Sequence, residues 1–242
     1  MPAAATDPTT PAPLVVAIDG PSGSGKSSVS KAVARELGLA YLDTGAMYRA
    51  ATWWCVEQGV ELTDADAVAA AVRVMPLVMG VDPAAPGVHV GGTDVGEAIR
   101  STAITAAVSA VATNLDVRAE LRRLQREAID AERTGGFSQG RGMVAEGRDI
   151  TTVVAPDADA RVLLTASEEA RLARRALEVH GEAGDAAVEA TRDQVLRRDQ
   201  DDSAVSQFHV AADGVVTVDS SALDFAQTVE AVLGVVREHA NR

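Results

Sequence analysis

Gly20–Ser27 reads GPSGSGKS, eight residues that satisfy the pattern G-x-x-x-x-G-K-[ST] at every fixed position. Glycine lets successive backbone N–H groups turn toward one point, and a ring of such donors is complementary to an anion. A helix opening near Lys26 adds the positive end of its dipole. In this pattern the lysine reaches the β- and γ-phosphates of a nucleoside triphosphate, and the hydroxyl of Ser27 is offered to Mg²⁺. The ATP-binding set expected from the loop is Gly20, Pro21, Ser22, Gly23, Ser24, Gly25, Lys26, Ser27 and Ser28, with Lys26 catalytic. GTPases carry an Asn-Lys-x-Asp guanine reader. This chain has two lysines, Lys26 and Lys31, and neither follows an asparagine, so that reader is missing. Its 242 residues are short for a motor ATPase. A kinase acting on a small molecule is the favoured class.

Two further stretches carry polar groups suited to a phosphate acceptor. YLDTGAMYR (41–49) places Asp43 and Thr44 at the end of an apolar run, with Tyr48 and Arg49 in the helix that follows and can swing over the acceptor. Ligands of open α/β sheets gather at the carboxyl ends of the strands. AEGRD (145–149) closes another apolar run with a carboxylate, a guanidinium and a second carboxylate. Glu146 is placed to order the water shell of a metal held by Ser27, and Arg148 to hold an acceptor phosphate. Asp149 either supports Arg148 or accepts from the amino group of a base.

The elements that must carry these groups follow from hydrophobic periodicity. Leu14–Ile18 is a short apolar strand that opens into the glycine loop, and Ser27–Leu37 has helical spacing and stops at Gly38, a fitting C-cap. Strands are expected at Leu39–Leu42, Met143–Ala145, Ala160–Leu164 and Val215–Val218. Helices are expected at Gly45–Gln58, Thr63–Val74 (opened by a Thr-x-x-Asp signal), 102–113, 115–132, Glu168–His180, Ala187–Arg198 and Leu223–His239, the last capped by Ser221. Strands alternating with helices imply a parallel α/β sheet. Residues 75–96 are dense in Gly, Pro and Val and break the alternation, as an antiparallel insertion would.

Composition narrows the partners. A formal charge of −13 argues against a protein that coats nucleic acid. No run of 18 apolar residues exists, so a membrane span is not expected. The opening MPAAATDPTTPAP lacks the basic and apolar segments of a signal peptide and reads as a disordered tail over residues 1–13. Cys55 is the single cysteine, which fits a reducing, cytoplasmic setting.

Together the motifs resemble those of the bacterial cytidylate kinases, in the nucleoside monophosphate kinase group. The similarity rests on AIDGPSGSGKSSVSKAVARELGLAYLDTGAMYR (17–49), VGEAIRS…VSAVA…VR…QR (95–126), VAEGRDITTVV (144–154), TASEEARLARR (165–175) and RRDQDDS (197–203). The resemblance implies a three-layer α/β fold over 14–242: a central parallel sheet flanked by helices, a monophosphate-binding arm (44–115) holding the β insertion, and a helical lid (167–205). It implies phosphoryl transfer from ATP, with Mg²⁺, to CMP or dCMP, by a monomer.

Carried over by position, Thr44 and Ser109 would contact the cytosine ring, Arg49 and Arg148 would grip the CMP phosphate beside Tyr48, and Arg118 with Asp149 would read the base edge. Asp202 and Arg198 would face the sugar. Arg171, Arg174 and Arg175 would stand on the lid helix near the ATP phosphates, Arg174 and Arg175 joining Lys26 and Arg148 as catalytic groups; for at least one of the three, a solvated helix face is the expectation.

The chain departs from the family pattern twice. Asp-Ser-Thr-Arg-Ala is shortened to Asp202-Ser203-Ala204-Val205, losing an arginine, and Thr151 replaces the glycine of Gly-Arg-Asp-x-Gly-Thr. The first departure predicts a slower kinase, and the second a constrained backbone. A kinase for another acceptor such as UMP, or a nucleotide-binding protein without turnover, stays open at this point.

Overall fold

The computed structural model describes residues 12–181 and 184–240; residues 1–11 of the expected tail lie outside them. Strand β1 (Leu14–Asp19) is buried at every position after the first. Such a continuous apolar run suits the centre of a parallel sheet covered on both faces. It lies between β6 (Gly142–Gly147) and β7 (Ala160–Thr165), with β2 (Ala40–Asp43) and β8 (Val216–Asp219) at the edges, giving the order β2-β6-β1-β7-β8. Every pairing is parallel.

Alternate side chains of β1 enter two different cores, as strand geometry requires. Val15 and Ala17 pack with helices α2 (Thr44–Glu57), α3 (Ala65–Arg73), α4 (Thr102–Ala112) and α5 (Leu115–Thr134). Val16 and Ile18 pack with α1 (Lys26–Leu37) and α8 (Phe225–Ala240). The parallel sense brings the carboxyl ends of β1, β2, β6 and β7 to one rim, so the glycine loop, the 43–49 stretch and the 146–149 stretch converge there. The three-layer expectation holds.

The insertion is a small antiparallel sheet, β3 (Leu77–Met79), β4 (Val88–Val90) and β5 (Thr93–Asp94). It is fastened to the core where Tyr41 N donates to Val81 O at 2.8 Å and Arg35 donates to Pro83 O at 2.7 Å. Two capping expectations are corrected. Asp64, not Thr63, caps α3, accepting from Ala67 N at 3.0 Å. Asp224 and Gln227 form the reciprocal box that starts α8, with contacts of 2.8 and 2.9 Å, while Ser221 instead accepts from Ser167 N at 2.7 Å. Helix α6 (Glu168–His180) matches its expected bounds, whereas α7 (Asp185–Ser203) runs past Arg198. Apolar periodicity stops at Leu196, so the sequence carries no signal for the added turn. Ser203 hydrogen-bonds back to Asp199 O at 2.6 Å. No helix among the described residues is long and apolar enough to cross a membrane.

Thr151 has a role that its glycine counterpart cannot fill. It lies in a π-helical turn, Ile150–Val154. Among the described residues Gln139 is the one non-glycine with positive φ, so Thr151 needs no glycine-like freedom and the expected constraint does not arise. The Thr151 hydroxyl donates to the buried carboxylate of Asp19 at 2.6 Å, beside the N–H groups of Ile150 and Thr151 at 2.9 and 2.8 Å. Burial pushes the Asp19 carboxyl above the usual range, and these three donors oppose that shift. Thr151→Val keeps the shape but leaves one oxygen of Asp19 short of a donor. It is expected to lower stability by about 1–3 kcal/mol, read as a shift in the urea midpoint at unchanged slope.

Candidate active site

The glycine loop joins β1 to α1 and is shaped by positions where no side chain fits. A Cβ on Gly20 would lie 2.2 Å from Leu164 O, and one on Gly23, at φ +76°, would lie 2.6 Å from Arg171 O. Gly25 caps α1 at φ +85°. Lys26 opens the helix, its Nζ 3.5 Å from Pro21 O and 3.9 Å from Glu146 Oε2. Ser27 Oγ donates to Glu146 Oε1 at 2.6 Å, and the Tyr41 hydroxyl donates to the same oxygen at 3.2 Å. Burial pushes the Glu146 carboxyl above the ordinary range, Asp43 adds to the rise, and Lys26, Ser27 and Arg49 counter it. Ser27 and Glu146, expected to act together through a metal ion, here meet directly. Tyr41 was missed because in a strand it reads as one more apolar residue.

The loop forms one end of a cleft of about 580 Å³ lined by Ser22, Gly23, Gly25, Lys26, Ser27 and Ser28; Gly20, Pro21 and Ser24 are not among the lining residues. Thr44, Tyr48 and Arg49 line it farther on, as do Arg118, Arg148 and Asp149. Thr44 directs its hydroxyl to Glu146 O at 2.8 Å. Arg49 pairs with Asp43 at 3.3 Å, and Asp43 also caps α2 by accepting from Ala46 N at 2.8 Å.

Arg118 is buried on α5 and donates to Asp149 at 2.7 Å, Ser206 Oγ at 2.6 Å and Ala112 O at 3.1 Å. Arg122, one turn on, adds contacts of 2.6 and 3.0 Å to the same Asp149 oxygen. Its helical spacing from Arg118 was the available signal. The Tyr48 hydroxyl, Arg49 Nε and Arg118 Nε are buried with no hydrogen-bond partner. Burial pushes the Tyr48 hydroxyl up to about 12, against the pull of nearby Arg118.

The match to known proteins covers nearly the whole of this architecture. The model of the cytidylate kinase family fits residues 16–238. The chain belongs to the cytidylate kinase family. It is 49% identical over 232 residues to the cytidylate kinase of Streptomyces avermitilis, spanning 95% of both chains. It is 48% identical over 229 residues to that of Nocardia farcinica (93% of this chain, 94% of the other), and 45% over 233 residues to that of Mycobacterium avium (95% and 97%).

Several positions carried over from the cytidylate kinase pattern fall elsewhere than expected. Ser109 does not line the cleft; α4 turns Thr105, Val108 and Ala112 toward it instead. A helix's rotation about its own axis decides which of these neighbours points inward. Arg174 also lies off the cleft lining, donating to Ser24 O at 3.2 Å and to Ser220 Oγ and O at 2.9 and 2.7 Å. Arg171 is buried against Ser22 O at 2.9 Å and forms an ion pair with Asp199. Neither is a solvated helix face. Arg175 does line the cleft, as does Asp202. The side chain of Arg198 lies outside the described residues. Arg148 donates to Asp202 at 3.0 Å and Gly20 O at 2.5 Å, with Asp199 at 3.5 Å. Its guanidinium also stands 4.7 Å from the ring centre of Phe208. That aromatic contact was not visible in the sequence, since Phe208 lies 60 positions away in a segment without regular pattern.

Proposed function

We propose that the chain transfers the γ-phosphoryl group of ATP to CMP and dCMP, giving ADP with CDP or dCDP. The observation that carries this reading is the cleft itself. One end is a phosphate loop, and the other holds three buried polar atoms, on Tyr48, Arg49 and Arg118, that lack partners. Such orphans are costly unless something completes them, and a monophosphate nucleotide offers the needed oxygens and ring atoms.

In this reading Lys26 and the backbone donors of Gly23–Ser27 hold the ATP phosphates, while Arg49 and Arg148 take the acceptor phosphate. Thr44 and Tyr48 wall the acceptor subsite; Arg118 and Asp149 face the base edge, and Asp202 the sugar. The CMP phosphate is already a nucleophile, so the residues position it, balance its charge and exclude water. Arg175 adds positive charge from the lid side. Ser27, Glu146 and Asp43 are hard oxygen donors of the kind Mg²⁺ takes. Among the described residues no group of three or more Asp, Glu, His or Cys could hold a metal alone, which suits a cation bound largely through substrate phosphates. Mg²⁺, when bound there, offsets phosphate charge.

An acceptor panel of CMP, dCMP, UMP and a sugar acid in a coupled ADP-release assay tests the proposal. CMP or dCMP is expected to give the highest kcat/KM. Preference for another acceptor overturns it, as does tight nucleotide binding by calorimetry without product.

The shortened segment after Ser203 makes a separate prediction. Inserting Thr-Arg between Ser203 and Ala204 restores a guanidinium near the acceptor phosphate. It is expected to raise kcat/KM for CMP about tenfold, one charge-assisted contact. Circular dichroism must show a folded variant, because Ser206 just downstream holds Arg118. A folded variant that is no faster shows that another group already fills the place.

A further inference from the structure

The outer edge of the phosphate loop is gripped by helices α6 and α7. Arg171, from α6, donates to Ser22 O at 2.9 Å, and Asp199, from α7, accepts from Ser22 N at 2.9 Å. The two side chains form an ion pair with each other, and both residues are buried. Both backbone polar groups of one loop residue are thus held by a single pair of opposite charges. Two more guanidiniums continue the pattern, Arg148 on Gly20 O at 2.5 Å and Arg174 on Ser24 O at 3.2 Å. Alternate carbonyls of the loop, those of residues 20, 22 and 24, therefore meet arginines, with Arg171 and Arg174 off the cleft lining and Arg148 on it.

Peptide planarity gives this pattern a consequence. In a trans peptide the C=O of one residue and the N–H of the next point in opposite directions. Outward carbonyls at Ser22 and Ser24 turn the N–H groups of Gly23 and Gly25 inward. The outward N–H of Ser22 likewise turns Pro21 O inward, where Lys26 Nζ and Ser24 N meet it at 3.5 and 3.4 Å. Pro21 has no N–H of its own, so the Gly20 carbonyl held by Arg148 leaves no donor behind it.

We infer that Arg171 and Asp199 are positioning residues that set the peptide planes of the phosphate loop, so that the loop is ready for a triphosphate only when α6 and α7 are docked on it. The pair acts through Ser22 and does not touch the nucleotide. The inference rests on the ATP-binding part of the reading above, and its test needs no acceptor.

ATP affinity is measured by calorimetry for Arg171→Gln, Asp199→Asn and the double variant. Each single change is expected to weaken binding about tenfold, the worth of one charge-assisted contact. The double variant is expected to be no more than about twofold weaker than either single, because both residues act on one peptide unit. Arg171→Lys, which keeps the charge, is expected to recover part of the loss. Multiplying losses, or affinity within about twofold of wild type in folded variants, overturns the inference.

Amide hydrogen exchange in the ATP-free Arg171→Gln protein gives a second readout that does not depend on nucleotide binding. Faster exchange at Gly23 and Gly25, with β1 unchanged, supports the assignment, and unchanged loop exchange overturns it. If the wild-type chain binds ATP but phosphorylates no acceptor, the kinase reading falls while both of these measurements still decide the clamp.

Discussion

Lys26→Ala is expected to lower turnover with CMP by about 10²–10³-fold while leaving the fold intact, because the ammonium offsets charge that grows as the phosphoryl group moves. The fold survives for a local reason. Lys26 is the first residue of α1, whose N-terminus is shaped by Gly25, and alanine is a good helix former. The loss reaches further than one contact, because Nζ stands 3.9 Å from Glu146 and holds that buried carboxyl down against burial and Asp43. Without the lysine, the Glu146 carboxyl rises further and a larger share is protonated at any given pH. The acid limb of the residual activity should therefore move to higher pH, since the ionised form is the one suited to a metal's water shell. Steady-state ADP release across pH, alongside circular dichroism, checks both statements. Near-normal turnover in a folded variant would remove the phosphate-loop reading.

Arg148→Ala is expected to raise KM for CMP about 30- to 150-fold and to change KM for ATP by less than about threefold. The range corresponds to a charge-assisted arginine–phosphate contact of roughly 2–3 kcal/mol in a site from which water is excluded. Arg148 is well placed for that contact. It leaves the end of β6, is steadied by Asp202 and the ring of Phe208, and lines the cleft. Its bond to Gly20 O lies at the start of the loop, away from Lys26, so the ATP subsite loses little. Arg148→Lys should recover only part of the affinity, since an ammonium cannot make the bidentate contact. Equal effects on both nucleotides would show that Arg148 serves the wrong subsite for this reading.

The amino-acid sequence by itself determined those features whose causes are local along the chain. Residues 20–27 specify a phosphate loop because glycine and lysine at that spacing, between a strand and a helix, have one physical use. Apolar periodicity placed the strands of the sheet and most helices, and residues 75–96 announced an insertion by composition. The cleft-lining residues Thr44, Arg49, Glu146 and Arg148 were legible because they follow apolar runs whose carboxyl ends must share a rim.

Only the tertiary structure decided which side chains meet across long separations. Ser27 and Glu146 are 119 residues apart, Arg118 and Asp149 are 31 apart, and Ser22 and Asp199 are 177 apart. No local preference encodes these pairings. They exist because parallel β1 and β6 end at the same rim and because α6 and α7 dock on the loop. Helix rotation settled the finer points, turning Thr105 rather than Ser109 to the cleft and giving Arg171 and Arg174 to the loop's carbonyls. A side chain's type is written in the sequence, but its direction is set by the packing of the face it stands on.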